Sequence, residues 1–278
     1  MTNPAEIIPG VLFFSYLATT RKEKVAFLEH NTLVLQVSGQ FTLETSSEKI
    51  SMGRGQMLLI QKNQLAELTK TPVEDNEYQT IVISLKEDLL RQIVLEEQIE
   101  TGQKYIGPPN ILIPSNEFLR AFFQSIIPYV RNSQEKITHS LGMLKVKEAV
   151  LLLLYTMPEL EEFLFDFSEP YKMDLEKFML SNYHYNIPIE KFAMLTGRSL
   201  AGFKRDFQKI FGMAPRHWLQ EKRLTEALYL IENKNKKASA IYLDLGFESL
   251  SHFSHSFKKK FGKTPTELAH EYPITNIY

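Results

Sequence analysis

Two periodicities divide this chain. Up to about residue 85, apolar positions come in short runs rich in β-branched and large side chains, at residues 25–28, 33–37, 41–45, 57–60 and 80–85. Ser38-Gly39 marks an expected hairpin between the second run and the third, and Gly53-Arg54-Gly55 another turn before the fourth. Short strands bounded by turn residues predict a small antiparallel barrel or sandwich. From residue 86 the period lengthens. Leu89, Leu90, Ile93, Val94 and Ile99 recur at helical spacing and predict a helix over 87–100. After a Gly107-Pro108-Pro109 loop, two more helices are expected at 116–130 and 136–157. The second has a wide apolar face with Leu141, Leu144, Lys145, Glu148, Leu151, Leu152 and Tyr155. That face is either core or a contact for a partner helix. Pairing of two copies through Leu141, Leu144, Glu148, Leu151 and Leu152 is one expectation, since symmetric dimers are the commonest assemblies.

Residues 158–170 (PELEEFLFDFSEP) are acidic, flanked by prolines and fit no single period. They mark the expected domain boundary, as a partly buried linker or a short strand through Phe163, Phe165 and Phe167. About seven helices follow: 174–182, 188–195, 199–211, 215–232, 239–245, 249–261 and one starting at 265. Pro188 suits a first turn. Gly197, Gly212 and Gly246 suit helix ends.

The same pattern occurs twice within these helices. Residues 199–215 read SLAGFKRDFQKIFGMAP, and residues 249–265 read SLSHFSHSFKKKFGKTP. Ser, Leu, three Phe, Lys, Gly and Pro coincide fifty positions apart, which marks one supersecondary unit used twice. In each copy a helix ends at Gly and a Ser opens the next, the arrangement of a helix-turn-helix. Phe203, Phe207 and Phe211 fall on one face and bury with Leu200, as do Phe253, Phe257 and Phe261. Ala201, Lys204, Arg205, Gln208 and Lys209 are left outside in the first copy, and Ser251, His252, Ser254, His255, Lys258 and Lys259 in the second.

Those outward residues have the chemistry of DNA recognition. Lys204 and Arg205 donate to guanine edges or phosphate, and Ser254, His252 and His255 suit base edges at close range. Phosphate contacts are expected from Ser199, Gln208, Lys209, Ser249, Lys258, Lys259, Lys260 and Lys263, with the helix ends at Ser199 and Ser249 offering free backbone N–H groups. The 215–232 helix, at roughly 27 Å, spaces the two copies close to the ~34 Å between successive major-groove faces.

Composition adds location and partners. Of 278 residues, 44% are hydrophobic and 23% charged, as in ordinary globular proteins. No apolar run reaches the length of a membrane span, no signal peptide is expected, and there is no Cys. The cytoplasm is the expected location, with no membrane partner. The net charge of −1 hides an asymmetry. Residues 169–278 carry 17 Lys and Arg against 12 Asp and Glu, net +5, leaving −6 for residues 1–168. The basic part fits a nucleic-acid partner.

Residues 172–270 resemble the DNA-binding domain of the AraC/XylS transcriptional regulators. The marks are Phe207-x3-Phe211-Gly212-x2-Pro215, Arg223-Leu224-x2-Ala227, Ile241-x4-Gly246-Phe247-x-Ser249 and Phe253-x3-Phe257-Lys258-x2-Phe261-Gly262-x2-Pro265. By that resemblance the base-reading positions are Ala201, Lys204 and Arg205, then Ser251, His252, Ser254 and His255. Three features depart from the pattern: Tyr242 replaces a small residue, Gly202 interrupts the first reading helix, and Ala201 reads little beyond a thymine methyl.

The strand-rich N-terminal half, through His30…Val34-x-x-Val37-x-Gly39 and Gly53-x-Gly55-x-Met57-Leu58-Leu59-Ile60, resembles the cupin-type sensor and dimerisation module of the same family. The resemblance implies an α+β chain: a cupin-like antiparallel β-barrel with following helices, then an all-α domain with two helix-turn-helix units. The expected divisions are 1–112 (regulatory barrel), 113–168 (helical dimerisation segment and linker) and 169–278 (DNA-binding domain). It also implies a transcriptional activator with promoter DNA and RNA polymerase as partners, and a small-molecule or protein effector. Phe13, Phe14, Phe27, Leu35 and Phe41 are candidates for an apolar ligand pocket, against a filled barrel core. No cofactor or metal is expected, since His30 is the only His before His139 and a metal site needs several converging ligands. Two alternatives stand beside DNA reading: an interaction scaffold with an incidental basic face, and an enzyme built on His252, His255 and Glu248.

Overall fold

The computed structural model describes residues 5–8, 10–73, 77–102, 104–131, 138–168 and 172–271. These form two compact units, Met1–Glu169 and Pro170–Tyr278. The expected start of a helix at 136 lies outside the described residues.

Among the described residues the first unit is built on ten antiparallel strands in two sheets. They are β1 Ala5–Ile8, β2 Leu12–Leu17, β3 Arg21–Leu28, β4 Asn31–Ser38, β5 Gln40–Glu44, β6 Lys49–Met52, β7 Met57–Ile60, β8 Gln64–Thr71, β9 Tyr78–Leu85 and β10 Asn110–Ile113. The six-stranded sheet runs β1-β2-β9-β4-β7-β10, and the four-stranded sheet runs β3-β8-β5-β6. Gly39, at φ +82°, turns the chain from β4 in one sheet to β5 in the other. A Cβ there would lie 2.7 Å from the Thr71 carbonyl oxygen, so only glycine fits.

Between the sheets lies a core of Val34, Phe41, Leu43, Met52, Leu58, Ile60, Ala66 and Tyr78. The opposite face of the six-stranded sheet is covered by three helices, α1 Glu87–Glu97, α2 Glu117–Arg131 and α3 His139–Thr156. That sheet is therefore buried on both faces, and all four residues of β7 (Met57, Leu58, Leu59, Ile60) are buried. β10 reaches the sheet edge beside β7 after α1 has crossed it, pairing Asn110 with Ile60 and Ile113 with Met57.

The five aromatic and aliphatic residues expected to line a ligand pocket do not share one cavity. Phe14, Ile81 and Leu35 form one cross-strand row, and the residues packed with it face the helices. Phe13 pairs with Val82, which in turn pairs with Val34, in the alternate row, which faces the other sheet. Phe41 is in the inter-sheet core and 3% exposed. Successive strand residues point to opposite faces, so Phe13 and Phe14 cannot line one pocket. Phe27, in β3 of the other sheet, is half-buried.

The segment at 158–167 is core rather than linker or strand. Pro158–Leu160 forms a 3-10 turn and α4 spans Glu161–Leu164. Leu160, Phe163, Leu164 and Phe165 are buried in the helix-covered core. The Phe163 ring meets Tyr105 edge-on at 5.1 Å. Its carbonyl accepts from the buried Asn31 at the start of β4 (3.5 Å). The expected dimer stripe is mixed. Leu151 and Leu152 pack partly on the core, Glu148 pairs with Lys145 at 2.8 Å, and Leu144 is 62% exposed.

The second unit has seven helices among the described residues. These are α5 Leu175–Asn182, α6 Ile189–Leu195, α7 Leu200–Phe211, α8 Pro215–Lys234, α9 Ala238–Ile241, α10 Leu250–Phe261 and α11 Pro265–Glu271. α9 is shorter than its sequence predicts and continues as turns to Gly246, whose φ is +81°.

Removing the Phe163 side chain tests whether residues 158–167 belong to the first unit's core. Phe163→Ala is expected to lower the stability of that unit by about 3–5 kcal/mol, read as a shift in its denaturant midpoint. A change under about 1 kcal/mol would return this segment to the role of a linker.

Candidate nucleic-acid interface

α7 and α10 are built by the same local rules. The Ser199 hydroxyl accepts from the backbone N–H of Gly202, and that of Ser249 from His252, both at 3.2 Å. These are N-cap bonds, which satisfy donors that the first helical turn leaves open. Each helix ends at a glycine in the left-handed region, Gly212 at φ +70° and Gly262 at +78°. Gly202, read in the sequence as an interruption, lies in the first turn, and a Cβ there would come 3.2 Å from the Ser199 hydroxyl.

The inner faces are aromatic. Phe203 and Phe207 are fully buried, as are Phe253 and Phe257. Phe207 stacks with Phe211 at 4.4 Å and meets Trp218 of α8 at 5.6 Å. In the second copy Phe257 stacks with Phe261 at 4.6 Å, and Phe253 meets Phe247 at 5.0 Å. Tyr242 packs against this second cluster, which absorbs the departure from a small residue.

With one face fixed, the other is presented. Ala201, Lys204, Arg205, Gln208 and Lys209 are exposed on α7. Ser251, His252, His255, Lys258 and Lys259 are exposed on α10, Ser254 is half-buried, and the cap residues Ser199 and Ser249 are exposed. The Arg205 side chain is 82% exposed, with its Nε 3.8 Å from Asp206 Oδ1. Lys263 is exposed beyond the end of α10.

Lys260 departs from its expected phosphate-binding role. Its Nζ donates to the Glu221 carbonyl (3.1 Å) and Thr225 Oγ1 (3.0 Å) and lies 2.7 Å from the Glu221 carboxylate. It ties α10 to α8 and is committed to the fold. Glu248, considered as part of an acid–base cluster with His252, instead accepts from Asn186 Nδ2 at 3.0 Å. His252 lies against the Phe247 ring at 5.8 Å.

Two arginines place the turns. Arg198, just before the Ser199 cap, donates to the carbonyls of Met173 (2.9 Å) and Thr196 (2.7 Å) and to Asp206 Oδ2 (3.1 Å). Arg223 of α8 is 9% exposed and donates to three backbone carbonyls. Burial pushes its guanidinium down to about 10, so it stays charged at neutral pH. Sequence reading used Arg223 as a family mark and assigned it no contact.

Residues 192–271 match the family model described as a helix-turn-helix domain. Residues 31–165 match that of the ExsA N-terminal regulatory domain. The virulence regulon transcriptional activator VirF of Yersinia enterocolitica is 26% identical over 253 residues, 88% of this chain and 90% of the relative. The HTH-type transcriptional regulator ExsA of Pseudomonas aeruginosa is 29% identical over 143 residues, 49% of this chain and 51% of the relative. Among solved structures, ToxT from Vibrio cholerae aligns with 95% of this chain and 100% of its own at 16% identity, with a TM-score of 0.43. Together these matches support an AraC-family transcriptional regulator. The chain is a DNA-binding regulator of transcription, and α7 and α10 lie within its helix-turn-helix domain.

Asp206 gives α7 a pH signature. The Arg198 hydrogen bond, then that of Lys172, holds its carboxyl below the ordinary 3.8. A depressed carboxyl stabilises the fold above its unfolded-state value and loses that contribution as pH falls through its folded one. Asp206→Asn is therefore expected to lower the melting temperature modestly at neutral pH. The gap to the native chain should close below about pH 3.8. A gap that persists in acid would assign the effect to packing.

Proposed function

We propose that this protein activates transcription by reading two successive major-groove segments of promoter DNA, one with α7 and one with α10. Ala201, Lys204 and Arg205 read bases in one segment, and Ser251, His252, Ser254 and His255 in the other. Ser199, Gln208, Lys209, Ser249, Lys258, Lys259 and Lys263 hold phosphates. The observation that carries this reading is the repeated frame: cap, buried Phe face and terminal glycine are shared, while the exposed faces differ. α8 has 20 residues, about 30 Å of helix, near the groove repeat of ~34 Å. The names of the relatives VirF and RhaR, both called transcriptional activators, support activation over repression.

The protein then has no catalytic role, acts in the cytoplasm where the promoter is, and answers to RNA polymerase. No helix of the described residues is long and apolar enough to cross a membrane. The first unit serves regulation and pairing. Leu144 and Tyr155 of α3 and Phe118 of α2 are exposed apolar side chains, with Phe118 and Tyr155 in edge contact at 5.4 Å. Pairing of two chains would cover them.

Selection from a random duplex pool gives the site, and titration on that site separates the roles. Arg205→Ala should cost about 1–3 kcal/mol and relax one base position, as for a bidentate contact to guanine. Lys209→Ala and Lys258→Ala should weaken binding on all sequences and each lower the salt slope by about one. A flat salt response, or a pool without enrichment, would sink the reading.

A further inference from the structure

The second helix-turn-helix is tied to the first by a junction that the fifty-residue repeat does not contain. Arg223 lies midway along α8. Its Nε donates to Tyr183 O and one Nη to Tyr185 O, both at 2.8 Å, in the loop between α5 and α6. The other Nη donates to Gly246 O at 3.0 Å, in the turn ahead of α10. The same loop supplies Asn186 to Glu248, and its His184 carbonyl oxygen would lie 2.5 Å from a Cβ on Gly246. A groove of about 510 Å³ beside the junction is lined by Arg223, Glu248 and His252 among others. The junction therefore reaches a reading residue of α10.

The repeat sharpens the contrast. Arg198 and Glu248 occupy equivalent places, each just before the cap serine. Arg198 bonds within its own half, whereas Glu248 accepts from Asn186 of the other half, and Gly246 accepts from Arg223, which also reaches Tyr183 and Tyr185. α8 by itself sets a distance between the halves. It does not set the rotation of α10, which follows it through the 235–249 segment. A planar guanidinium holds three acceptors in fixed directions, which a lysine ammonium cannot reproduce.

We propose that Arg223 is a positioning residue for DNA reading: it fixes the phase between α7 and α10, so that two base segments are recognised at one spacing only. This rests on the two-segment reading above. One inserted base pair moves the far segment by about 3.4 Å and turns it by about 34°.

The test uses the full chain and the selected duplex, that duplex with one or two base pairs inserted between its segments, and a duplex keeping one segment. The native protein should lose on the order of tenfold per inserted base pair. For Arg223→Lys, and independently for Gly246→Ala, that penalty should fall to about twofold, with single-segment affinity changed less than about twofold. Thermal unfolding confirms that each variant is folded. If Arg223→Lys does not fold, Gly246→Ala decides. Undiminished spacing discrimination in the folded variants would overturn the clamp, as would equal losses on one-segment and two-segment duplexes. A native protein with sequence preference but no spacing preference overturns the clamp alone. One with no sequence preference overturns the two-segment reading as well.

Discussion

A phenylalanine buried every fourth residue is the constraint on which the DNA-binding unit depends. Phe203 and Phe207 in α7 and Phe253 and Phe257 in α10 are each fully buried. A buried ring removes roughly 150–250 Å² from water, a gross gain of about 4–6 kcal/mol at about 25 cal/mol per Å². No rotation of either helix keeps that gain. The outward direction of Lys204, Arg205, His252 and His255 thus follows from what lies beneath them. Caps and glycine ends then fix where each helix starts and stops. In the proposed reading, affinity for DNA comes from side chains on the exposed faces, and their orientation from the buried ones beneath them.

The first unit obeys a period of two and pays for it in ambiguity. Its larger sheet is covered on both faces, by the other sheet and by α1–α3. Strands in such sheets read as continuous apolar runs, as in β7. A continuous run gives no hint of which side chain faces which core. That is why Phe13 and Phe14 seemed to belong together as pocket residues, although the pleat sends them to opposite faces. Strands β6 (KISM) and β8 (QLAELTKT) were hidden for a different reason. Their polar alternation is that of a half-exposed sheet, short in one case and Lys- and Glu-bearing in the other. β10 is specified by its pairing with β7, about fifty residues away in sequence, and local pattern does not carry that.

The helical half was more legible because its signals are local. A serine, a four-residue aromatic period and a glycine sit within one helix, and the structure places caps and ends on those residues. The fold class followed from the switch between the two periods. What sequence did not carry were the ties between helices. Lys260 reads as one more lysine of a basic helix end, and only its approach to Glu221 and Thr225 shows that it is committed. Residues 158–170 look like a linker because the stretch is acidic, flanked by prolines and fits no single period. Their four buried apolar side chains outweigh that composition once the sheet supplies a surface.

The two arginines show how one side chain serves opposite ends in a duplicated frame. Arg198 neutralises Asp206 and closes the turn of its own half, a local pairing near the surface. Arg223 is buried, and its recorded acceptors are carbonyl oxygens. Burying a cation costs several kcal/mol unless its donors are satisfied, and that cost is visible in the lowered guanidinium value. A methionine or leucine of similar size would fill the space without the penalty. It would also remove the guanidinium donor from the carbonyls of Tyr183 and Gly246 and leave Tyr185 O with the Ile187 N–H alone, and those carbonyls belong to both halves. The desolvation cost is thus coupled to a directional link between two helix-turn-helix units. Apolar packing fixes which face of each helix turns inward, but it carries no donor aimed at named acceptors in both halves.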